Sequence, residues 1–237
     1  MREVFLSNHL ETEAKKNLAI CLVSIGSALA LLAVGILINA ALVIALGTGA
    51  LVVSVFVVTG RGPTYVTYRC GIQGERVLRD HLCSLGLSDE HTAYYNLPTS
   101  GNGKVSDIDC ILVGPSGLFV LEVKHHRGLV FYRNGIWAQI KVGRRGNPYA
   151  GQLGDPSVQL SRNIRKLKAL LRRTGSGTPW CHGAVVFTNT RAVLDVEGLR
   201  WIKAVAVKDL DRIVSERLTL STNQIRRINT CLTAFSK

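Results

Sequence analysis

Asp109, Glu122 and Lys124 are the residues of this chain whose types and spacing best fit chemistry. Asp109 lies in the apolar, β-branched segment 108–113, and Glu122 lies in the similar segment 118–123. The four residues between these segments include proline and glycine where a tight turn requires them. The pattern predicts a β-hairpin, and a symmetric turn places Asp109 opposite Glu122.

In that register the three side chains share one face of the hairpin. Directly opposed residues have Cβ atoms about 4.5–5.5 Å apart, and Lys124 follows Glu122 by two residues on the same strand. A glycine bulge at Gly117 is the alternative, because it would shift the register by one residue and send Asp109 and Glu122 to opposite faces. The hypothesis therefore depends on the register.

Two carboxylates within an apolar hairpin need a compensating charge. Burial of a charged carboxylate is costly unless a partner neutralises it, and a hard cation such as Mg²⁺ does so while keeping water ligands for hydrolysis. The alternative is a salt-bridged cluster of Asp109, Glu122 and Lys124 on a solvated face of the sheet. Both segments carry apolar residues on both faces, as strands covered on two sides do, and this favours the buried site.

The N-terminal part of the chain is strongly apolar. Residues 18–59 contain no charge, and one helix of that length would extend roughly 63 Å, about twice the hydrocarbon core of a bilayer. We predict two transmembrane helices, Leu18–Leu37 and Ala41–Thr59, joined by a turn at residues 38–40, with a kink or packing notch at Gly47–Gly49. A cleaved signal peptide is less favoured, because acids precede the apolar stretch.

This interpretation divides the chain into a cytoplasmic N-terminal segment, residues 1–17, a transmembrane hairpin, residues 18–60, and a soluble domain, residues 61–237. Lysines precede the first span, arginines follow the second, and the turn is uncharged, so the positive-inside rule places both ends in the cytoplasm. The expected location is the inner or cytoplasmic membrane, as a multi-pass protein. The six cysteines show no C-x-x-C spacing, which argues against a zinc site or a disulfide framework.

The positive charge of the chain is carried by its soluble part. The chain has a net charge of +13, and the residues up to Gly60 contain three bases and three acids. Residues 124–173 hold twelve Lys or Arg and one acid, Asp155. Such a field attracts polyanions, either nucleic acid or the anionic inner leaflet of a membrane. Charge alone does not separate these two partners.

The soluble part has an α/β order. Apolar periodicity predicts a helix over Gly71–Leu85, and a second hairpin, residues 129–133 and 136–142, turns through Asn134-Gly135. Asp155 and Pro156 predict the N-cap and first turn of a basic, amphipathic helix that extends to about Arg173. This helix and the loop before it provide the candidate nucleic-acid contacts, namely Arg144, Arg145, Arg162, Arg165 and Lys166.

A set of ordered motifs runs from residue 71 to residue 189. In sequence order they are Gly74-Glu75, Asn96-Leu97-Pro98, Asp107-Ile-Asp109, Val113-Gly-Pro-Ser-Gly-Leu-Phe-Val-Leu-Glu122-Val-Lys124, Gly128, Trp137, Asn147-Pro148, Gln159 with Asn163, and Val185-Val-Phe-Thr188. These motifs resemble those of the NERD (nuclease-related) domain and, more broadly, those of the PD-(D/E)xK, restriction-endonuclease-like superfamily.

The resemblance implies an α/β fold with a restriction-endonuclease-like mixed central sheet flanked by helices, here preceded by two transmembrane helices. By it, Asp109 and Glu122 ligate Mg²⁺, with Mn²⁺ as an alternative, and the backbone carbonyl of Val123 assists. Lys124 orients the attacking water or stabilises charge on the phosphate. The implied catalytic residues are Glu75 as a helical acid, Asp109, Glu122, Lys124, and Gln159 as a polar residue that faces the site.

The resemblance further implies membrane-anchored, Mg²⁺-dependent hydrolysis of phosphodiester bonds in nucleic acid, DNA in preference to RNA, with little sequence specificity. Nucleases of this class often pair two active sites, which allows a homodimer. A different class stays open, a membrane-tethered nucleic-acid-binding or scaffold protein without turnover. A third hypothesis is a protein that binds anionic lipid through its basic surface.

Overall fold

The computed structural model of the chain describes residues 1–101, 104–215 and 219–235. Its strands are β1 (Arg2–Phe5), β2 (Thr92–Gly101), β3 (Lys104–Gly114), β4 (Gly117–Lys124), β5 (Gly128–Arg133), β6 (Ile136–Val142), β7 (Pro148–Ala150), β8 (Cys181–Phe187), β9 (Ala192–Val196) and β10 (Ile202–Ala206). Its α-helices are α1 (His9–Leu37), α2 (Ala41–Ser84), α3 (Pro156–Arg173), α4 (Asp211–Val214) and α5 (Thr222–Thr233), and a 3-10 turn covers Val207–Asp209.

The chain forms two compact units, and their boundaries differ from the predicted division. One unit consists of Met1–Ser7 together with Gln73–Lys237, and the other is Asn8–Ile72. The first residues join the α/β unit because β1 pairs in parallel with the start of β2. The helices predicted over Ala41–Thr59 and Gly71–Leu85 are parts of one helix, α2, since a single proline removes one hydrogen-bond donor and need not end a helix.

The helical unit consists of α1 and the part of α2 up to Ile72. A Cβ atom on Gly47 would lie 2.7 Å from the backbone of Leu32, so glycine is what permits this close helix packing. The predicted notch is confirmed at this position. The Ser54 hydroxyl donates a hydrogen bond to the Ser24 carbonyl at 2.8 Å and joins the two helices further along.

Both helices are long and apolar enough to cross a membrane. Only 11% of the most apolar window of each helix is buried inside the protein, so most of its apolar surface faces outward. Leu22, Val23 and Phe56, for example, are all more than half exposed. A core helix of a soluble protein would instead bury its apolar face.

A six-stranded mixed sheet forms the centre of the α/β unit, in the order β1-β2-β3-β4-β8-β10. Strands β2, β3 and β4 are antiparallel neighbours, whereas β4, β8 and β10 run in parallel. On one face Leu78 and Leu82 of α2 pack in a core with α4, and on the other face Leu160 and Leu167 of α3 pack in a core with α5. The predicted α/β class, a mixed sheet flanked by helices, is confirmed.

A second sheet has four strands in the order β7-β6-β5-β9. The predicted hairpin of β5 and β6 is present, and its turn residues Asn134 and Gly135 have φ angles of +50° and +84°, as a two-residue hairpin turn requires. The predicted loop before α3, residues 143–154, contains one short strand, because Pro148–Ala150 pairs with β6. That strand has three residues, too few for a periodic pattern to reveal.

Candidate active site

The hairpin of β3 and β4 has the predicted register. Its backbone pairs run from Gly114–Gly117 to Cys110–Leu121, so the glycine turn adds no bulge and the next position places Asp109 opposite Glu122. At this point the carboxylate of Asp109 accepts a hydrogen bond from the backbone N–H of Val123 at 2.7 Å. A side chain of β3 thus continues the contact with β4 beyond the paired positions.

Glu122 is buried and has two side chains within hydrogen-bond distance, Lys124 and Asn163. Its carboxylate accepts a hydrogen bond from the Lys124 ammonium at 2.8 Å and another from the Asn163 amide at 3.1 Å. The Lys124 ammonium also donates to the side-chain oxygen of Gln159 at 3.0 Å. Gln159 and Asn163 lie one turn apart on α3, so they face the strand together. The structure therefore brings together three predicted site residues, Glu122, Lys124 and Gln159. Asn163 joins them through its hydrogen bond to Glu122.

The electrostatics of this site disfavour two bare negative charges. Burial raises the pKa of Asp109, although the Lys124 ammonium and the Val123 N–H both favour the charged form. Burial, followed by the charge of Asp109, raises the pKa of Glu122 from 4.5 to about 8, and Lys124 does not offset this. Ionisation of both neighbouring carboxylates is energetically unfavourable, and an additional positive charge nearby would stabilise the ionised pair.

The strands are distorted beside Asp109. In the β2–β3 ladder the pairs Tyr95–Cys110 and Leu97–Ile108 flank the position where Asn96 stands opposite Asp109. Tyr95 and Cys110 belong to the core under α2, whereas Leu97 and Ile108 belong to the core under α3. Residues two apart on a regular strand share a face, so the alternation reverses at this pair.

Asn96 accounts for the reversal and connects a further acid to the site. Its φ angle is +58°, in a region that asparagine tolerates better than most residues. Its side-chain amide donates to the carboxylate of Glu75 on α2 at 3.0 Å. The structure thus places Glu75 beside the residue that faces Asp109, on the α2 side of the sheet.

The two histidines after Lys124 contact other partners. The His125 ring lies 3.0 Å from the Thr188 hydroxyl, and the His126 ring lies 3.1 Å from the side-chain oxygen of Gln139. Burial lowers the pKa of both histidines, which favours the neutral rings. They fix the end of β4 against β8 and β6.

The candidate basic residues fall into two groups. Arg162 lines a cavity of about 330 Å³ whose other lining residues are Asp107, Asp155, Val158, Gln159 and Asn163. Arg165 is exposed on α3, and the ammonium of Lys166 donates to the Thr99 hydroxyl at 2.9 Å. Arg144 and Arg145 belong to the turn between β6 and β7. Of the five, Arg162 lies next to the residues that hold Glu122 and Lys124.

The donor set suits a cation that takes few protein ligands. Among residues 1–101, 104–215 and 219–235, no three or more His, Cys, Asp and Glu side chains are grouped as a metal site. Mg²⁺ usually binds through one or two carboxylates and keeps several waters. The carboxylates of Asp109 and Glu122 fit that requirement by their type and number.

Asn96 and Asn163 are the site residues that the sequence did not assign. Asn163 had a usable signal, since it belongs to the family motif and follows Gln159 by one helical turn. Asn96 also belongs to a motif, but its role depends on a backbone angle that a single sequence does not show. Both residues act on the acids through hydrogen bonds rather than through charge.

Comparison with known proteins identifies the family. Residues 71–188 match the family described as Nuclease-related domain, NERD. The chain belongs to this family, as its motifs indicated. "Probable kinase PglW" from Streptomyces coelicolor is 33% identical over 91 residues, which make up 38% of this chain and 6% of that protein. The chain therefore spans a small part of this relative, and no solved structure matches it.

We predict that the Glu122 carboxyl makes a contribution to the stability of the metal-free protein that is lost as the pH rises from about 4.5 to about 8. Between these values folded Glu122 retains a proton that the unfolded chain releases, so this contribution to the free energy of unfolding falls with pH. Glu122→Gln should flatten this dependence, because the substituted side chain does not titrate. Denaturant unfolding of the detergent-solubilised full chain at several pH values measures it.

Glu90→Gln on the surface is the matched control and should keep the pH dependence of the unmodified chain. Added Mg²⁺ should stabilise the unmodified chain more at pH 8 than at pH 5, because the ionised carboxylates are the ligands. An equal pH dependence in Glu122→Gln and the unmodified chain would contradict the assignment of the buried proton.

Proposed function

We propose that this protein is a membrane-anchored, Mg²⁺-dependent nuclease that hydrolyses phosphodiester bonds, in DNA in preference to RNA, with little sequence specificity. The observation that carries the proposal is the close electrostatic interaction of the half-buried Asp109 and the buried Glu122 with each other and with the Lys124 ammonium, within a nuclease-related domain. A structural role alone does not account for this arrangement, because an apolar hairpin would avoid the burial of two like charges.

In the proposed site the two carboxylates and the Val123 carbonyl hold Mg²⁺, and Mn²⁺ can replace it. A bound divalent cation supplies a water of lowered pKa and withdraws charge from the scissile phosphate. Glu75 acts from the α2 side, where Asn96 holds its carboxylate. Its role is to orient water at the edge of the metal shell.

Lys124 provides the positive charge of the chain itself. Its ammonium is fixed by Glu122 and Gln159 within about 3 Å, so little reorganisation is needed when a phosphate approaches. Lys124 then stabilises the negative charge that develops on the phosphorane or orients the attacking water. Asn163 holds the Glu122 carboxylate in place from α3.

The basic residues are proposed to hold the nucleic-acid backbone. Arg162 lines the cavity beside the site, and the other candidates, Arg144, Arg145, Arg165 and Lys166, extend the field over α3 and the β6–β7 turn. Contacts with phosphates position a substrate without reading its sequence. A homodimer would place two such sites on one duplex, so that both strands could be cut.

The membrane anchor is proposed to be the helical unit, through residues 18–59, with the α/β unit in the cytoplasm. Met1–Ser7 and the chain from Gln73 onwards belong to one compact unit. Two spans between them therefore begin and end on the same side of the membrane. The lysines before the first span and the arginines after the second favour the cytoplasmic side.

The alternative function is a membrane-tethered nucleic-acid-binding or scaffold protein without turnover. One observation favours it, because Lys124 and Asn163 already satisfy the Glu122 carboxylate by direct hydrogen bonds. A site closed by its own lysine can be a structural ion pair. This alternative keeps the binding of nucleic acid and lacks metal-dependent cutting.

We predict that the purified full chain cuts plasmid and oligonucleotide DNA with Mg²⁺ or Mn²⁺ and not with EDTA. Glu122→Ala and Lys124→Ala should each lower the cleavage rate by about 100-fold or more, because each removes charge stabilisation in a water-excluded site. Glu90→Ala and Lys168→Ala are the controls of equal charge at exposed or half-buried surface positions. DNA binding without metal-dependent cutting would support the scaffold.

We also predict that Cys83 is labelled by a membrane-impermeant thiol reagent only after the cells are permeabilised. Cys83 is exposed on α2, in the part of the helix that belongs to the α/β unit. A Cys70→Ser variant isolates this thiol from the other exposed cysteine, and Cys83→Ser provides the background. Labelling in intact cells would place the α/β unit outside the cytoplasm.

A further inference from the structure

The turn between β6 and β7 projects as a two-stranded ribbon. Strand β6 pairs with β5 as far as Leu129–Ile140, and its next residues pair with β7 as Lys141–Tyr149 and Val142–Pro148. The end is closed by hydrogen bonds from Gly143 N–H to the Asn147 carbonyl and from Gly146 N–H to the Gly143 carbonyl. We call residues 141–149 the β-ribbon arm.

The surface of the arm is basic and exposed. Arg144 and Arg145 are at its tip, Lys141 is on one strand, and the arm contains no acid. Residues 144–150 are all exposed, and among the described residues neither arginine forms an ion pair with an acid. Val142 and Tyr149 are 62% and 48% exposed. Because the tip of the arm is exposed, its side chains bury little surface and contribute little to the stability of the domain.

The root of the arm is hydrogen-bonded to the segment that follows Lys124. Gln139 precedes the arm on β6. Its side-chain oxygen lies 3.1 Å from the His126 ring nitrogen, and its amide donates a hydrogen bond to the Arg127 carbonyl at 2.7 Å. His126 follows Lys124 by two residues. The backbone of Gly151, after the arm, donates to the Gln139 carbonyl at 2.8 Å. At about 3.4 Å per residue, Arg144 at the tip lies up to about 17 Å from Gln139 along the arm.

We propose that the β-ribbon arm enters the major groove of duplex DNA beside the scissile phosphate, with Arg144 and Arg145 on the flanking phosphates. The proposal rests on the proposed nuclease function and specifies its substrate as B-form double-stranded DNA. The major groove of B-DNA is about 12 Å wide and accommodates a two-stranded ribbon. The arm carries two arginines to a position about five base pairs away, at about 3.4 Å per base pair.

The geometry of the groove distinguishes the candidate nucleic acids. Duplex RNA has a deep, narrow major groove that protein elements enter poorly. A single strand has no groove, although its phosphates attract arginine equally well. An arm that acts only by charge would therefore contact all three, whereas an arm that enters a major groove contributes to duplex DNA alone.

The test measures binding of the full chain in nanodiscs of neutral lipid. The background variant is Glu122→Ala with EDTA present, so that no substrate is consumed. Duplex DNA, duplex RNA and single-stranded DNA of one sequence are titrated at several salt concentrations, with and without Arg144→Ser/Arg145→Ser. The control is Arg172→Ser/Arg173→Ser, which removes two exposed neighbouring arginines from the end of α3.

Removal of the arm arginines is expected to weaken duplex DNA binding about tenfold or more and to reduce the salt slope by about two, one for each lost phosphate contact. The affinity for duplex RNA and single-stranded DNA should fall by a clearly smaller factor, since only the general attraction of arginine to phosphate is lost there. The control should leave the duplex DNA slope unchanged.

Equal losses for all three nucleic acids, or no loss for duplex DNA, would overturn the proposal. A loss of binding to vesicles that contain anionic phospholipid, with duplex DNA binding unchanged, would assign the arm to the membrane instead. Because the assay needs no turnover, absence of cleavage in the unmodified chain would reject the nuclease function and leave the binding result to decide on the arm.

Discussion

Two like charges buried at the end of one hairpin are the constraint on which the rest of this structure depends. The β3–β4 register brings Asp109 to Glu122, and burial makes the ionised form of each carboxylate costly. The protein compensates in part with one ammonium and one amide. We propose that a divalent cation meets the remaining demand for positive charge.

Both layers of the fold contribute to this site. Helix α3 presents Gln159 and Asn163 to the strand one turn apart, and α2 presents Glu75 to Asn96 on the other side. The reversal of strand alternation at Asn96 separates the two cores at the level of the acids. The polar side chains of the site therefore lie where the apolar packing of the sheet is interrupted. The two cores on either side of this point hold the strands that carry them.

Local patterns predicted much of this arrangement. Turn residues and β-branched segments were enough for both hairpins and for the register of β3 and β4. The regular alternation of faces was wrong at Ile108, which lies on the face opposite to that of Cys110. Asp155-Pro156 marked the start of α3, where the Asp155 side chain accepts a hydrogen bond from the Val158 N–H. These features depend on residues close together in the chain. The candidate acids and Lys124 followed from the register alone.

Features that depend on distant residues could not be predicted in the same way. The pairing of β1 with β2 joins residues about ninety positions apart, and an exposed four-residue segment carries little periodicity. Helix α2 continues through Pro63. The sequence does not show this, because a proline in a helix interior removes a hydrogen bond and can end the helix. The left-handed conformation of Asn96 lies inside β2, at the point where its pairing with β3 is interrupted.

The central claim is that Asp109 and Glu122 together bind one divalent cation. Calorimetric titration of Mg²⁺ or Mn²⁺ into the full chain near neutral pH, repeated in buffers of different ionisation enthalpy, tests it most directly. The account predicts one site per chain whose occupation releases a proton, since Glu122 has a pKa of about 8, and both effects should disappear in Glu122→Gln. Binding with no proton release, or binding that persists unchanged in Glu122→Gln, would contradict it.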